Sequence, residues 1–383
     1  MNNNNLKICM VDSAIGNDYS FYLCSGMKAI GLDIRMVVPE DREVEFKIEF
    51  PLVKLSPTKK SSVSKLNKLI KYINYLKKLY SYIKRNKFDA VHFQFLRRIE
   101  MESFFILFLR LMGTKLIYTV HDVSPLNKSR LHNLLSAITY KSVNILIVHS
   151  NKNKQMLLEK ISLKPDKIKI VPHGNFNGYV PAQPLTKNEA RKYFGLNSDE
   201  KVLLFFGFIK AYKGLDVLLE AVEIVSKSVD KLSLIIAGAA ESKKLADSYK
   251  KMISGLPKNV NVIYHSEFIH REKVANYFLA SDVLILPYQI ISHSGVLHLA
   301  YSFGRPIIGT RVGDFEEFIE DGKSGILTKS NDSQGVADAI LHFYSNPEDV
   351  VKMCLYTQNL NDTKYSWENI ALTMKEIYQQ FKF

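Results

Sequence analysis

The 383-residue chain has three cysteines, Cys9, Cys24 and Cys354, none at CxxC or metal-ligand spacing. That excludes a disulfide framework and a cysteine-built metal centre, and a reducing compartment fits. No DxD triplet occurs, so no carboxylate pair is preset for a divalent ion, and none is expected as a requirement. No apolar run approaches the ~20 residues needed to span a bilayer, and the most apolar helix candidate, 104–112, contains Arg110. Residues 1–5 are polar, so no secretory signal is expected and the protein is placed in the cytoplasm. GxGxxG is missing too, and the first strand–helix turn offers one glycine, Gly16.

Acidic residues are scarce in one half only. Residues 1–180 hold 29 Lys and Arg against 14 Asp and Glu, a balance of +15, and the remainder is nearly neutral. Residues 59–87 carry ten basic side chains and no acid. Leu66, Leu69, Ile70, Ile73, Leu76, Tyr80 and Ile83 recur there at helical spacing with lysines opposite. This describes an amphipathic helix suited to an anionic membrane surface, or one packed on a sheet with a solvated lysine face. Nucleic acid is not expected as a partner, because the charge follows one short helix and no DNA- or RNA-binding motif accompanies it.

A chain this long, 46% apolar, calls for more than one core. Buried-strand runs alternate with helical segments, which predicts parallel, doubly wound sheets. The rhythm breaks at a stretch rich in Gly, Pro, Asn and Gln and restarts near Lys201. The expected division is a domain over 1–178, a linker over 179–196, a second domain over 197–360, and a terminal helix over 361–383 that packs back on the first domain.

Two segments carry chemistry. In residues 287–310, an apolar run gives way to His293-Ser294-Gly295, then a helix, then another apolar run. The turn would present the N–H groups of Ser294, Gly295 and Val296 at a helix N-terminus, where the macrodipole favours an anion. In residues 205–221, Lys210, Lys213 and Gly214 stand between a strand and a helix, at the strand end where open parallel sheets bind ligands. Together they suit a diphosphate. His121 follows the strand KLIYTV and is placed to donate to a sugar hydroxyl or diphosphate oxygen, or to be tied within its loop. His92 is an acceptor contact or an internal histidine; His173 lies near the passage between domains.

GFIKAYKGLDVLLEA, PHG at 172–174 and SGVLHLAYSFGRPIIGTRVG resemble glycosyltransferase family 4, the retaining enzymes of GT-B fold, in the branch with an SGV donor loop. The resemblance implies two Rossmann-like domains facing across a cleft, a nucleotide-sugar donor with no separate cofactor, and a saccharide acceptor. His121 matches a family histidine that contacts the transferred sugar, Gly16 a loop over the diphosphate, and Phe268 a loop that brackets the donor base, unless that side chain faces the core. Lys213 would stabilise the leaving group. The base, UDP or GDP, stays open. The basic first half and the family's bacterial members point to a lipid-linked acceptor in surface polysaccharide synthesis, at the inner face of the plasma membrane.

The sequence departs from the family in three places. Ile291 and Leu299 occupy the positions of two glutamates eight apart, the later of which binds the donor ribose; His298 is the neighbouring polar candidate. Phe208 stands where an arginine is usual. These departures keep open a catalytically weak sugar- or polyanion-binding protein, beside the rival enzyme class, a nucleotide-sugar epimerase.

Overall fold

The computed structural model describes residues 6–13, 18–44, 48–56, 64–123, 129–183 and 185–381. They form two compact units, one of residues 1–174 with 366–383, the other of 175–365.

The first unit runs β1 (Lys7–Val11), α1 (Tyr19–Ala29), β2 (Asp33–Pro39), β3 (Leu52–Ser56), α2 (Lys65–Asn86), β4 (Ala90–Phe93) and α3 (Ile99–Leu111). It continues with β5 (Leu116–Thr119), α4 (Arg130–Ser142), β6 (Ile145–Val148), α5 (Asn151–Lys160) and β7 (Ile168–Ile170). Its sheet has the order β3-β2-β1-β4-β5-β6-β7, all parallel. Ile8, Cys9, Met10 and Val11 are buried in succession because helices cover both faces of the sheet. Cys9 is thus a small core side chain whose thiol burial pushes well up.

The second unit runs α6 (Lys187–Tyr193), β8 (Lys201–Phe206), α7 (Leu215–Val225), β9 (Leu232–Ala237), α8 (Lys243–Ser254), β10 (Val260–His265) and α9 (Arg271–Ala280). Then come β11 (Val283–Leu286), α10 (Gly295–Ser302), β12 (Ile307–Thr310), α11 (Phe315–Phe318), β13 (Gly325–Thr328), α12 (Ser333–Ser345) and α13 (Pro347–Asp362). Its parallel sheet has the order β10-β9-β8-β11-β12-β13. A last helix, α14 (Trp367–Gln379), belongs to the first unit and packs on α1. Its Ile370, Ala371, Met374, Ile377 and Tyr378 complete that unit's core.

The stretch expected as a linker is more ordered than its composition suggests. Thr186 accepts from Glu189 N while the Glu189 carboxylate accepts from Thr186 N, a capping box that starts α6. Arg191 then crosses to Asp282 and the carbonyls of Ala280, Asn197 and Ser198, so residues 186–196 belong to the second unit. The division falls at Gly174/Asn175 instead. A side chain on Gly174 would strike the Trp367 ring at 2.6 Å.

Each strand order reverses once, between β1 and β4 and between β8 and β11. At such a switch point the loops leaving the strands' C-terminal ends diverge and open a crevice for ligands.

Candidate active site

Lys213 and Ser294 lie on the loops that leave β8 and β11, the pair at the second sheet's switch point. Three close contacts set the geometry of those loops. Gly214 takes the left-handed conformation (φ 68°) and approaches Pro287 so closely that a Cβ would stand 2.0 Å from the carbonyl oxygen. Gln289 N donates to Tyr212 O at 2.8 Å. Gly207, at φ 101°, leaves a gap into which both sides lean: a Cβ there would meet Val296 Cγ2 at 3.1 Å and Lys213 Nζ at 3.4 Å. The lysine and the first turn of α10 therefore converge on one point.

Lys213 is 8% exposed, its Nζ 5.1 Å from the centroid of the Tyr288 ring. Among the described residues no carboxylate pairs with it. A nearly buried ammonium set against a ring and close to a helix N-terminus is a strong attractor for an anion. The N–H groups of Gly295 and Val296 precede the first intrahelical bond, which Leu297 N makes to Ser294 O. Ser294 does not cap with its side chain. At Gly295 a Cβ would make only ordinary contact with Phe176, 3.5 Å away, so the protein's own packing does not require the glycine.

The other expected residues fall as follows. Lys210 Nζ lies 3.9 Å from Glu241 Oε1 and over the ring of Tyr212. Phe268 is 62% exposed, edge-on to His270; it does not face the core. Phe208, in the place of the arginine, is also exposed. Gly16 lies outside the described residues, as do residues 59–63 of the basic stretch.

Leu299 is buried in the core of the second unit and the half-buried Ile291 packs against it; neither side chain can hydrogen-bond a ribose. His298 is no substitute, for it is fully buried against the rings of Phe318 and Tyr365. The polar group that does stand at this loop is His293, whose Nδ1 lies 2.8 Å from the buried carboxylate of Asp314. Asp314 makes no cap for α11. The two residues stand 21 positions apart in sequence, with nothing in their spacing to signal a pair, and the β12 exit loop brings them together.

In the first unit, His121 follows β5, stacked on Phe95 with centroids 4.0 Å apart. Its Nε2 lies 2.9 Å from Gln94 Oε1 and its Nδ1 3.2 Å from His149 Nε2. His92 is internal: fully buried, bonded to Tyr378 and Thr119, and lowered by desolvation to about 3, hence neutral. His173 is buried with Nδ1 2.7 Å from Gly174 O. Glu102 is a further finding. It is 1% exposed, accepts from Ser13 Oγ and Arg98 N, and burial outweighs those bonds to push its carboxyl up to about 7. It ties the β4 exit to the loop after β1 at the first switch point.

Two doubly wound parallel domains, the second with a nearly buried lysine and a helix N-terminus at its switch point, have the architecture of the GT-B glycosyltransferases. The description "Glycosyltransferase Family 4" matches residues 17–174, and "Glycosyl transferases group 1" matches residues 200–346. D-inositol 3-phosphate glycosyltransferase of Corynebacterium urealyticum is 25% identical over 244 residues, 62% of this chain and 57% of that protein. That of Corynebacterium aurimucosum is 26% identical over 272 residues, 70% and 64%. The match thus spans less than two thirds of these relatives' length. The solved structure of Anabaena Alr3699/HepE in complex with UDP-glucose superposes with a TM-score of 0.74 at 15% identity, covering 98% of this chain and 100% of that one. The chain belongs to the family 4 glycosyltransferases, with the GT-B fold.

Proposed function

We propose that this protein is a retaining glycosyltransferase that moves a sugar from a nucleotide-sugar donor to a saccharide acceptor. The observation that carries the reading is the nearly buried ammonium of Lys213, with no carboxylate partner among the described residues, beside the N-terminus of α10. As the glycosyl–diphosphate bond breaks, negative charge grows on the departing oxygen. Fixed donors in a dry site stabilise that charge more in the transition state than in the ground state. Retention follows when the acceptor hydroxyl attacks on the face the diphosphate leaves, with a phosphate oxygen taking the hydroxyl proton. No protein general base is then needed. His121 is assigned to the transferred sugar, and His293, held by Asp314, is the polar side chain nearest in sequence to the diphosphate loop. Alr3699/HepE was solved with UDP-glucose, which makes UDP-sugars the first donors to try, with GDP-sugars beside them.

The acceptor is proposed to be lipid-linked, on the way to a bacterial surface polysaccharide. No helix among the described residues is long and apolar enough to cross a membrane, but α2 has the features of one that lies on it. Tyr72, Tyr75, Leu79 and Ile83 face the sheet, whereas Leu66, Leu69, Ile70 and Ile73 are exposed beside Lys68, Lys71, Lys77 and Lys78. Phe108 of α3 touches Tyr80 and, with Phe104, Leu111 and Met112, adds exposed apolar surface. Cations interleaved with apolar side chains fit an anionic lipid interface.

Nucleotide sugars screened for protection against thermal unfolding test the donor reading. A UDP- or GDP-sugar is expected to raise the midpoint in the native chain and not in Lys213→Ala. Protection by none of them would reject the reading. His121→Ala is expected to lower kcat more than donor affinity; equal losses would assign His121 to ground-state binding.

A further inference from the structure

At the C-terminal edge of the first sheet, side chains from three neighbouring strand ends are chained by hydrogen bonds. Gln94 follows β4, His121 follows β5 and His149 follows β6. His149 Nδ1 lies 3.0 Å from the carbonyl oxygen of Val171, just past β7. Its Nε2 faces His121 Nδ1 at 3.2 Å, and His121 Nε2 faces Gln94 Oε1 at 2.9 Å.

Counting hydrogens along this chain gives an odd result. The Val171 carbonyl only accepts, so His149 Nδ1 carries a hydrogen; the Gln94 amide oxygen only accepts, so His121 Nε2 carries another. A neutral imidazole has one N–H. Two neutral rings would therefore point bare lone pairs at each other across 3.2 Å. A third hydrogen between the rings resolves the conflict and makes the pair one imidazolium bonded to one imidazole. The other resolution turns the Gln94 amide over. Its oxygen would then face Met10 Sδ, to which its Nε2 now donates at 3.2 Å, and His92 Nε2, which that same nitrogen approaches at 3.1 Å. Met10 Sδ accepts and cannot donate, so the turned amide would lose a bond that the present one makes. With its one hydrogen on Nδ1, towards Tyr378, His92 accepts from Gln94 at Nε2, and the two contacts together favour the orientation that calls for the third hydrogen.

We propose that His149 is a positioning residue which shares a proton with His121, so that the two rings form a single cation at the edge of the first sheet. The His121 Nε2–H is then a charge-strengthened donor, which an oxygen of the transferred sugar receives in place of Gln94 Oε1. This rests on the assignment of His121 to the transferred sugar made above. The surroundings suit a cation spread over two rings. Phe95 stacks on His121, a ring face that attracts positive charge. Tyr19 of α1 borders both rings and is kept neutral because burial pushes its hydroxyl up. His173 lies 5.5 Å from His149 between ring centroids. His92 and, behind it, Tyr378 of α14 are the remaining titratable groups along the chain of bonds, and Asp122 is the carboxylate next in sequence to His121.

The experiment is nitrogen NMR of the full chain labelled at histidine, without substrate, with His121→Gln and His149→Gln used to assign the signals. At about pH 7 the pair is expected to show three N–H hydrogens over its four nitrogens. Two hydrogens would overturn the proposal whatever the activity does. The kinetic counterpart separates this from the assignment of His121. Because the protonated pair is the competent form, kcat is present at low pH and lost as pH rises through the pair's pKa. His149→Phe is expected to move that loss down by about one pH unit, with donor KM within about twofold, and His149→Gln, which keeps an acceptor oxygen, to restore much of it. Three hydrogens with a pH profile that neither variant moves would overturn the donor role of His121 and leave the shared proton standing.

Discussion

At the scale of single residues, burial of charge separates the side chains that act from those that hold. Lys213 is nearly buried with no carboxylate partner among the described residues, which a structural lysine has no reason to be. Lys213→Ala is expected to lower transfer by roughly 10²–10³, read from steady-state rates at saturating donor, while Lys210→Ala, whose ammonium is half-exposed beside Glu241, has a smaller effect. Glu102 is the opposite case. Its folded carboxyl, at about 7, sits above the unfolded value of about 4.3. Stability from the protonated form is complete below that lower value and is lost as pH rises to about 7, on the order of 3 kcal/mol in all. Urea unfolding against pH is expected to show this fall in the native chain and a flatter curve in Glu102→Gln. Lys213 was legible because a glycine turn after a strand marks a ligand loop. Glu102 was not, since its burial depends on Ser13, 89 residues away, and sequence showed only an acid ahead of an apolar helix.

Elements show which glycines serve the fold and which serve a ligand. Gly214→Ala must adopt φ 68° and drive a Cβ to 2.0 Å from Pro287 O, so a loss of at least about 1–3 kcal/mol is expected in urea unfolding. Gly295→Ala meets only Phe176 at van der Waals distance, and its stability is expected to stay within about 0.5 kcal/mol while protection by donor nucleotide disappears. Helix α2 was half legible. Its helical period and lysine face are in the sequence, but the inward stripe is Tyr72, Tyr75, Leu79 and Ile83, whereas Leu66, Leu69, Ile70 and Ile73 stay outside. Periodicity names an apolar face without saying what covers it. Neutralising Lys68, Lys71, Lys77 and Lys78 is expected to reduce co-sedimentation with anionic liposomes at low salt; unchanged binding would remove the membrane assignment.

At the scale of the whole molecule, strand–helix alternation was enough to foresee two parallel sheets, since only buried strands read as unbroken apolar runs. The division between them was less visible, because the capping box at Thr186 hides in a stretch whose Pro, Gly and Asn content looks like a spacer. The core of the first unit also depends on α14. A chain cut after Tyr365 is expected to keep the second unit folded and to expose the first to protease, which limited digestion would read. The same dependence bears on birth at the ribosome. The first 174 residues emerge with one flank of their sheet bare, and the helix that covers it is made only after 191 further residues, roughly 10–40 s later at ordinary elongation rates. The half synthesised second is therefore the half that can finish first, and in the interval the earlier one is a customer for whatever chaperone shields exposed apolar surface.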